Sequence, residues 1–96
     1  MKYDQLGFNF KDKFILWEEV ELISTYKMDL ITMDEIILEL ETNQFRYSFP
    51  ESDEDWIDFA KFITEKFQLD DFEIWFERVM KPVFKENRSV LFERKT

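Results

Sequence analysis

The spacing of the apolar residues changes near Pro50, and this change constrains the fold more than any other feature of the sequence. Before it, apolar and polar residues alternate, which is typical of strands with one buried and one exposed face. Beyond it, apolar residues recur every three or four positions, which is typical of amphipathic helices. Strands followed by helices predict an α+β domain in which the helices cover one face of an antiparallel sheet.

The alternating segments predict an antiparallel sheet of about four to five strands. They are residues 8–10, 14–17, 20–28, 36–41, 45–49 and 89–93. Lys11–Lys13 and Thr42-Asn43 are candidate turns between them. Glu39 and Glu41 fall on the face expected to meet solvent. The residues expected to face the helices are Val20, Leu22, Tyr26, Met28, Ile36, Leu38, Leu40, Phe45, Tyr47 and Phe49.

Two helices are predicted in the second half of the chain. Ser52 or Asp53 is expected to cap the first, Asp70 and Asp71 the second, and Pro82 to limit the second. Both helices carry one apolar stripe that is expected to pack on the sheet. The stripes are Trp56, Phe59, Ala60, Ile63 and Phe67 in the first helix, and Phe72, Trp75, Phe76, Val79 and Met80 in the second.

Aromatic residues are expected to supply most of the core. The chain has 96 residues, which is enough for one domain, residues 1–96. So small a domain buries a limited fraction of its surface, which leaves a thin margin of stability. Twelve Phe, three Trp and three Tyr compensate, because each large ring removes roughly 150–250 Å² from water.

Histidine and cysteine are both absent from the sequence. This excludes disulfides, thiolate nucleophiles, zinc–thiolate sites and histidine general bases. It also favours a reducing compartment, so we expect a cytoplasmic, non-catalytic protein without a cofactor or metal. The carboxylates of Asp70, Asp71 and Glu73 are an alternative hard-metal or acid–base site, although helix capping explains the two aspartates more simply.

The formal net charge is −9, from 22 acidic and 13 basic residues. Such a charge repels nucleic acid and anionic membranes and attracts basic proteins. No apolar run approaches the ~20 residues of a membrane span, so a soluble protein is expected. The basic residues near the C-terminus are too few and too interspersed with glutamates for a nucleic-acid patch. They are Lys81, Lys85, Arg88, Arg94 and Lys95.

Acidic residues concentrate in three segments, which are candidate contacts for a basic partner. In each case a solvated surface is the simpler alternative. Trp17, beside the first cluster, is either an exposed anchor for a partner or part of the core. Ile31 and Met33, within the second cluster, either contact a partner or pack at the edge of the core. The first cluster is Glu18, Glu19 and Glu21, the second Asp29, Asp34 and Glu35, and the third Glu51, Asp53, Glu54, Asp55 and Asp58.

Two stretches carry a resemblance to a known group of proteins. The first runs from Ile15-Leu16-Trp17-Glu18-Glu19-Val20 through Ile23, Tyr26-Lys27-Met28-Asp29-Leu30 and Thr32 to Asp34-Glu35-Ile36. The second comprises Trp75-Phe76, Val79, Pro82-Val83-Phe84, Asn87 and Val90-Leu91-Phe92-Glu93-Arg94. Together they resemble small bacterial proteins with PH-like sheets, some of which look like immunity proteins of toxin systems.

That resemblance implies a small inhibitor that covers the active site of a basic toxin, with a nuclease as the first candidate, and that performs no chemistry itself. The alternative is a regulatory or adaptor module of PH-like type that binds a peptide or protein along a sheet edge. Neither hypothesis assigns a catalytic residue.

Overall fold

The computed structural model describes residues 2–29, 34–80 and 88–94. It confirms the predicted α+β class. The elements are β1 (Gly7–Phe10), β2 (Lys13–Leu16), a 3-10 helix (Trp17–Glu19), β3 (Leu22–Asp29), β4 (Asp34–Glu41), β5 (Arg46–Pro50), α1 (Trp56–Lys66), α2 (Phe72–Met80) and β6 (Ser89–Glu93). Some residues named in the sequence predictions lie outside the described residues, among them Ile31, Met33, Lys81, Pro82, Lys85 and Lys95.

The strands form two separate antiparallel sheets. The larger has the order β5-β4-β3-β6, so the last strand pairs with β3. Strands β1 and β2 form a hairpin of their own, so the predicted strands do not all join one sheet. The hairpin turns at Lys11, whose φ of 58° is left-handed.

The core lies between the larger sheet and a second layer made of the hairpin and the two helices. Phe8 of the hairpin contacts the rings of Tyr47 and Phe49 on the sheet at 5.6 and 5.7 Å. Phe59 of α1 contacts Phe49 at 4.8 Å. The predicted packing of helices on one sheet face is therefore confirmed, but the prediction that Met80 belongs to the packed stripe of α2 was wrong, because half of its surface is exposed at the end of the helix. The buried apolar residues of this core are Phe8, Ile15, Trp17, Val20, Ile23, Ile36, Leu38, Leu40, Tyr47, Phe49, Trp56, Phe59, Ala60, Ile63, Trp75 and Val79.

The prediction for β3 was wrong about which face meets the helices. Val20 is buried in the core but precedes the strand, so the alternation does not run through it into β3. Ile23 faces the helices, paired with Leu40. Thr25 and Lys27 share that face: their polar atoms donate to the carbonyl oxygens of Ile37 and Met80, which permits their burial. Leu22, Tyr26 and Met28 consequently lie on the opposite face.

Two further local predictions were wrong. Phe45 does not face the core; it lies in the turn before β5 with half of its surface exposed, beneath the Lys13 ammonium at 3.9 Å. Helix α1 begins after Asp55, whose φ is 65°, without a side-chain cap from Ser52 or Asp53. The Ser52 hydroxyl instead donates to Glu35 at 2.9 Å, because the segment after β5 folds back against the start of β4.

The outer face of the sheet contains a buried carboxylate. The Glu39 side chain is only 3% exposed and accepts a hydrogen bond from Arg88 Nη1 at 2.7 Å. The Arg88 guanidinium lies 4.3 Å from the Tyr26 ring centroid, and the hydrogen bond with Glu39 raises the pKa of Arg88, against the lowering effect of burial. Glu39 also accepts from Ser48 Oγ at 3.2 Å and pairs with Arg46 at 3.4 Å. Glu39 thus faces outward as predicted but is covered by Arg88.

We expect Arg88→Ala to lower the free energy of unfolding by about 2 kcal/mol, because it leaves a buried carboxylate without its shortest partner. Arg46→Ala is the control: Arg46 is 61% exposed, so its loss should cost less than about 1 kcal/mol. Urea denaturation measures both values. Equal losses of stability in the two variants would contradict the conclusion that Arg88 is the main partner of Glu39.

Candidate functional site

The first acidic cluster and the second lie at opposite ends of the sheet. The Glu21 backbone N–H donates to the carbonyl of Glu41, at the end of β4, whereas Asp34 begins that strand. At about 3.4 Å per residue, these two ends are roughly 24 Å apart. A single compact partner surface therefore cannot centre on both clusters.

The second and third clusters are brought together. Glu51 accepts a hydrogen bond from the Ile36 backbone N–H at 2.9 Å, and the Ser52 hydroxyl donates to Glu35. Asp34 lies beside Lys27, with a 3.6 Å ion pair, and opposite Asp29 in the strand register. These contacts join the start of β4 to the segment that leads into α1.

An open depression of about 740 Å³ lies between the hairpin, the N-terminal segment and the start of α1. Asp55 and Asp58 of the third cluster line it together with Asp4, while Tyr3 and Phe14 supply aromatic surface. Burial raises the pKa of the Tyr3 hydroxyl, and the negative charges of Asp58 and Asp55 raise it further. The remaining lining residues are Lys2 and Asn9.

Asp53 and Glu54 line a neighbouring, smaller depression of about 280 Å³. We define the acidic face as Asp4, Asp53, Glu54, Asp55 and Asp58. Sequence reasoning found the last four, which are contiguous or nearly so, but missed Asp4. Its carboxylate accepts hydrogen bonds from the backbone N–H groups of Leu6 and Gly7, at 2.8 and 3.2 Å, and only the fold brings it to Asp55.

The first cluster has a different electrostatic setting. Glu18 lines a separate concavity together with the cations Lys66 and Arg94. Glu19 accepts a hydrogen bond from the Leu16 backbone N–H at 2.9 Å. This end of the molecule therefore presents mixed charge.

Trp17 belongs to the core. Its side chain is 4% exposed, and its indole Nε1 donates to the carbonyl of Asp4 at 2.7 Å. Trp17 is therefore not an exposed anchor beside the first cluster.

The acidic face has the chemistry to hold cationic side chains. Carboxylates pair with Lys and Arg, and aromatic faces attract the same cations. Across residues 2–29, 34–80 and 88–94, no group of three or more acidic side chains is arranged to hold a metal ion. Asp70 instead forms a 3.5 Å ion pair with Arg78, and the Asp71 carbonyl accepts from the backbone N–H groups of Ile74 and Trp75 at the start of α2.

No protein-family model, curated protein or solved structure matches this chain. The resemblance to small proteins with PH-like sheets stays a prediction. Within the described ranges, neither helix is long and apolar enough to cross a membrane.

Proposed function

We propose that this chain is a non-catalytic, cytoplasmic protein that binds a basic protein through its acidic face. The most specific form of the proposal is a bacterial immunity protein that neutralises a basic toxin, with a nuclease as the first candidate. The observation that carries it is the convergence of Asp4, Asp55 and Asp58 around the aromatic rings of Tyr3 and Phe14.

Electrostatics supports this choice of partner. A nuclease must attract phosphates, so its active-site cleft is positive, and an acidic inhibitor is steered toward it rapidly. The net charge of −9 supplies the long-range field. The acidic face is the better contact surface because Lys66 and Arg94 offset the charge of the first cluster.

The acidic face also contains groups suited to the centre of an interface. Phe14, which lines the same depression as Asp55 and Asp58, is 43% exposed, so it can lose water-accessible apolar surface on binding. Tyr3 lines the same depression, is half-buried, and contacts Phe59 and Phe62, which hold its ring in place. Aromatic anchors of this kind carry much of the binding energy in protein interfaces.

The second candidate function is an adaptor module that binds a peptide along β6. Within the described part of the chain, β6 pairs only with β3, which leaves its other edge available for strand addition. Val90 on this strand is 58% exposed. This hypothesis requires neither the acidic face nor a basic partner.

The test begins with recovery of the native partner on the immobilised full chain, followed by measurement of association and dissociation rates at low and high salt. For the wild-type protein, the association rate should fall steeply with salt, because exposed charges are screened beyond about 8–10 Å. The dissociation rate should change less, since it reflects the desolvated centre of the interface.

Two double variants with the same change in net charge locate the contact. Glu54→Lys/Asp58→Lys should slow association by about 10-fold or more. Glu18→Lys/Glu65→Lys, at the other end of α1, should slow it by less than about 3-fold, because only the general field is reduced. An acidic partner, a nucleic acid, or a salt-independent rate would reject the inhibitor proposal. Binding lost only in Val90→Lys would favour the adaptor module.

A further inference from the structure

A second concavity, of about 650 Å³, lies at the opposite end of α1 from the acidic face. Asp55 and Lys66 mark the two ends of this helix, about 16 Å apart at 1.5 Å per residue. Four parts of the chain form this concavity: the N-terminal segment, the region of the 3-10 helix, the end of α1, and β6 with the residue after it. We call it the α1 C-terminal pocket; it is lined by Gln5, Leu6, Leu16, Trp17, Glu18, Lys66, Phe67, Gln68, Phe92 and Arg94.

The floor of this pocket is aromatic and firmly held. The rings of Phe67 and Phe92 lie 4.8 Å apart, and Trp17 packs edge-on against Phe67 at 6.0 Å. Leu6 stands at the rim with 69% of its surface exposed, and Leu16 beside it is half-buried. An apolar group that entered the pocket would therefore cover apolar surface now exposed to water.

The charge at the rim is opposite to that of the molecule as a whole. Among the described residues that line the pocket, the charged side chains are Lys66, Arg94 and Glu18, whereas the whole chain has a net charge of −9. Arg94 is anchored, because its Nε donates to the carbonyl of Val20 at 3.1 Å. Lys66 lies in the last turn of α1.

We propose that the α1 C-terminal pocket binds a small free carboxylate with an alkyl or aryl body. The body would lie on Phe67 and Phe92, and the carboxylate would pair with Lys66 and Arg94. The volume falls within the usual range for small-molecule sites, roughly 300–1,000 Å³. Charge complementarity selects an anion here, and the aromatic floor selects an anion with an apolar body.

The test uses decanoate, below its micelle concentration, and decanol as the matched uncharged probe, with the full chain followed by ¹H–¹⁵N NMR. Hydrophobic transfer alone favours decanol, since a carboxylate is costly to remove from water. Decanoate should nevertheless bind about five-fold more tightly than decanol, because of the two cations. The shifts should concentrate on the Trp17 indole N–H and the backbone N–H groups of Phe67 and Phe92.

Three variants locate the site. Lys66→Gln should weaken decanoate binding by about three-fold, and Leu6→Asp by about 10-fold, because it places a like charge at the rim. Lys61→Gln removes a lysine from the same helix but outside the pocket and should leave the affinity unchanged. Preference for decanol, absence of saturable binding, or equal effects of the two lysine variants would overturn the proposal. Leu6 and both lysines are exposed, so the folded state should tolerate these substitutions.

Discussion

Truncation of Phe59 to Ala should lower the free energy of unfolding by about 3–5 kcal/mol, the usual cost of deleting a buried aromatic side chain. Phe59 has no exposed surface. Its ring contacts Phe49 of the sheet, Phe8 of the hairpin and Tyr3 of the N-terminal segment. The cavity would therefore open where the sheet, the hairpin and the N-terminal segment meet. Urea denaturation with an unchanged m-value measures the resulting loss of stability.

Ile57→Ala provides the control on the same helix. Ile57 is 53% exposed, so its truncation should cost less than about 1 kcal/mol. If Phe59→Ala cost no more than Ile57→Ala, the helix would not pack on the sheet through this stripe. The comparison thus tests the orientation of α1 directly.

Substitution of Gly7 by Ala should cost about 3 kcal/mol, at the upper end of the range for overpacked sites. A Cβ at this position would overlap the backbone carbonyl oxygen of Ile15 and lie 2.9 Å from its carbonyl carbon. Both atoms belong to the paired strand β2, so no side-chain rotation relieves the clash. The methyl group also reduces the entropy of the unfolded chain, but that gain is only about 0.4–1 kcal/mol.

Asn9→Ala is the matched substitution on the same strand. Asn9 is exposed, so the change should alter stability by no more than about 0.5 kcal/mol. Thermal and urea unfolding of both variants measures the difference. A Gly7→Ala protein as stable as Asn9→Ala would show that β1 and β2 separate without cost, contrary to their close backbone approach.

The candidate site was only partly predictable. The third acidic cluster is visible in the sequence because its residues are contiguous or nearly so, whereas Asp4, Tyr3 and Phe14 have no local signal that links them to Asp55. The sequence alone also does not distinguish the first acidic cluster from the other two. In the fold, Lys66 and Arg94 lie near Glu18 and offset its negative charge, although both are far from Glu18 along the chain.

Local periodicity by itself determined the fold class, the two helices and the inward faces of β4 and β5. Ile36, Leu38 and Leu40 are each two residues apart, so one pleat places all three in the core and puts Glu39 and Glu41 on the opposite face. The 3-4 spacing of Trp56, Phe59 and Ile63 likewise fixes the buried stripe of α1. These assignments depend only on the geometry of a single element.

Only the tertiary structure decided which face of β3 meets the helices and where the acidic face assembles. In β3 both faces carry apolar and polar residues, so the outcome depends on partners elsewhere in the chain. Lys27 can be buried because the Met80 carbonyl and Asp34 reach it, and Tyr26 faces outward because Arg88 covers it. A buried polar group is tolerated only where a partner satisfies it, and pairing across such sequence distances has no local signature.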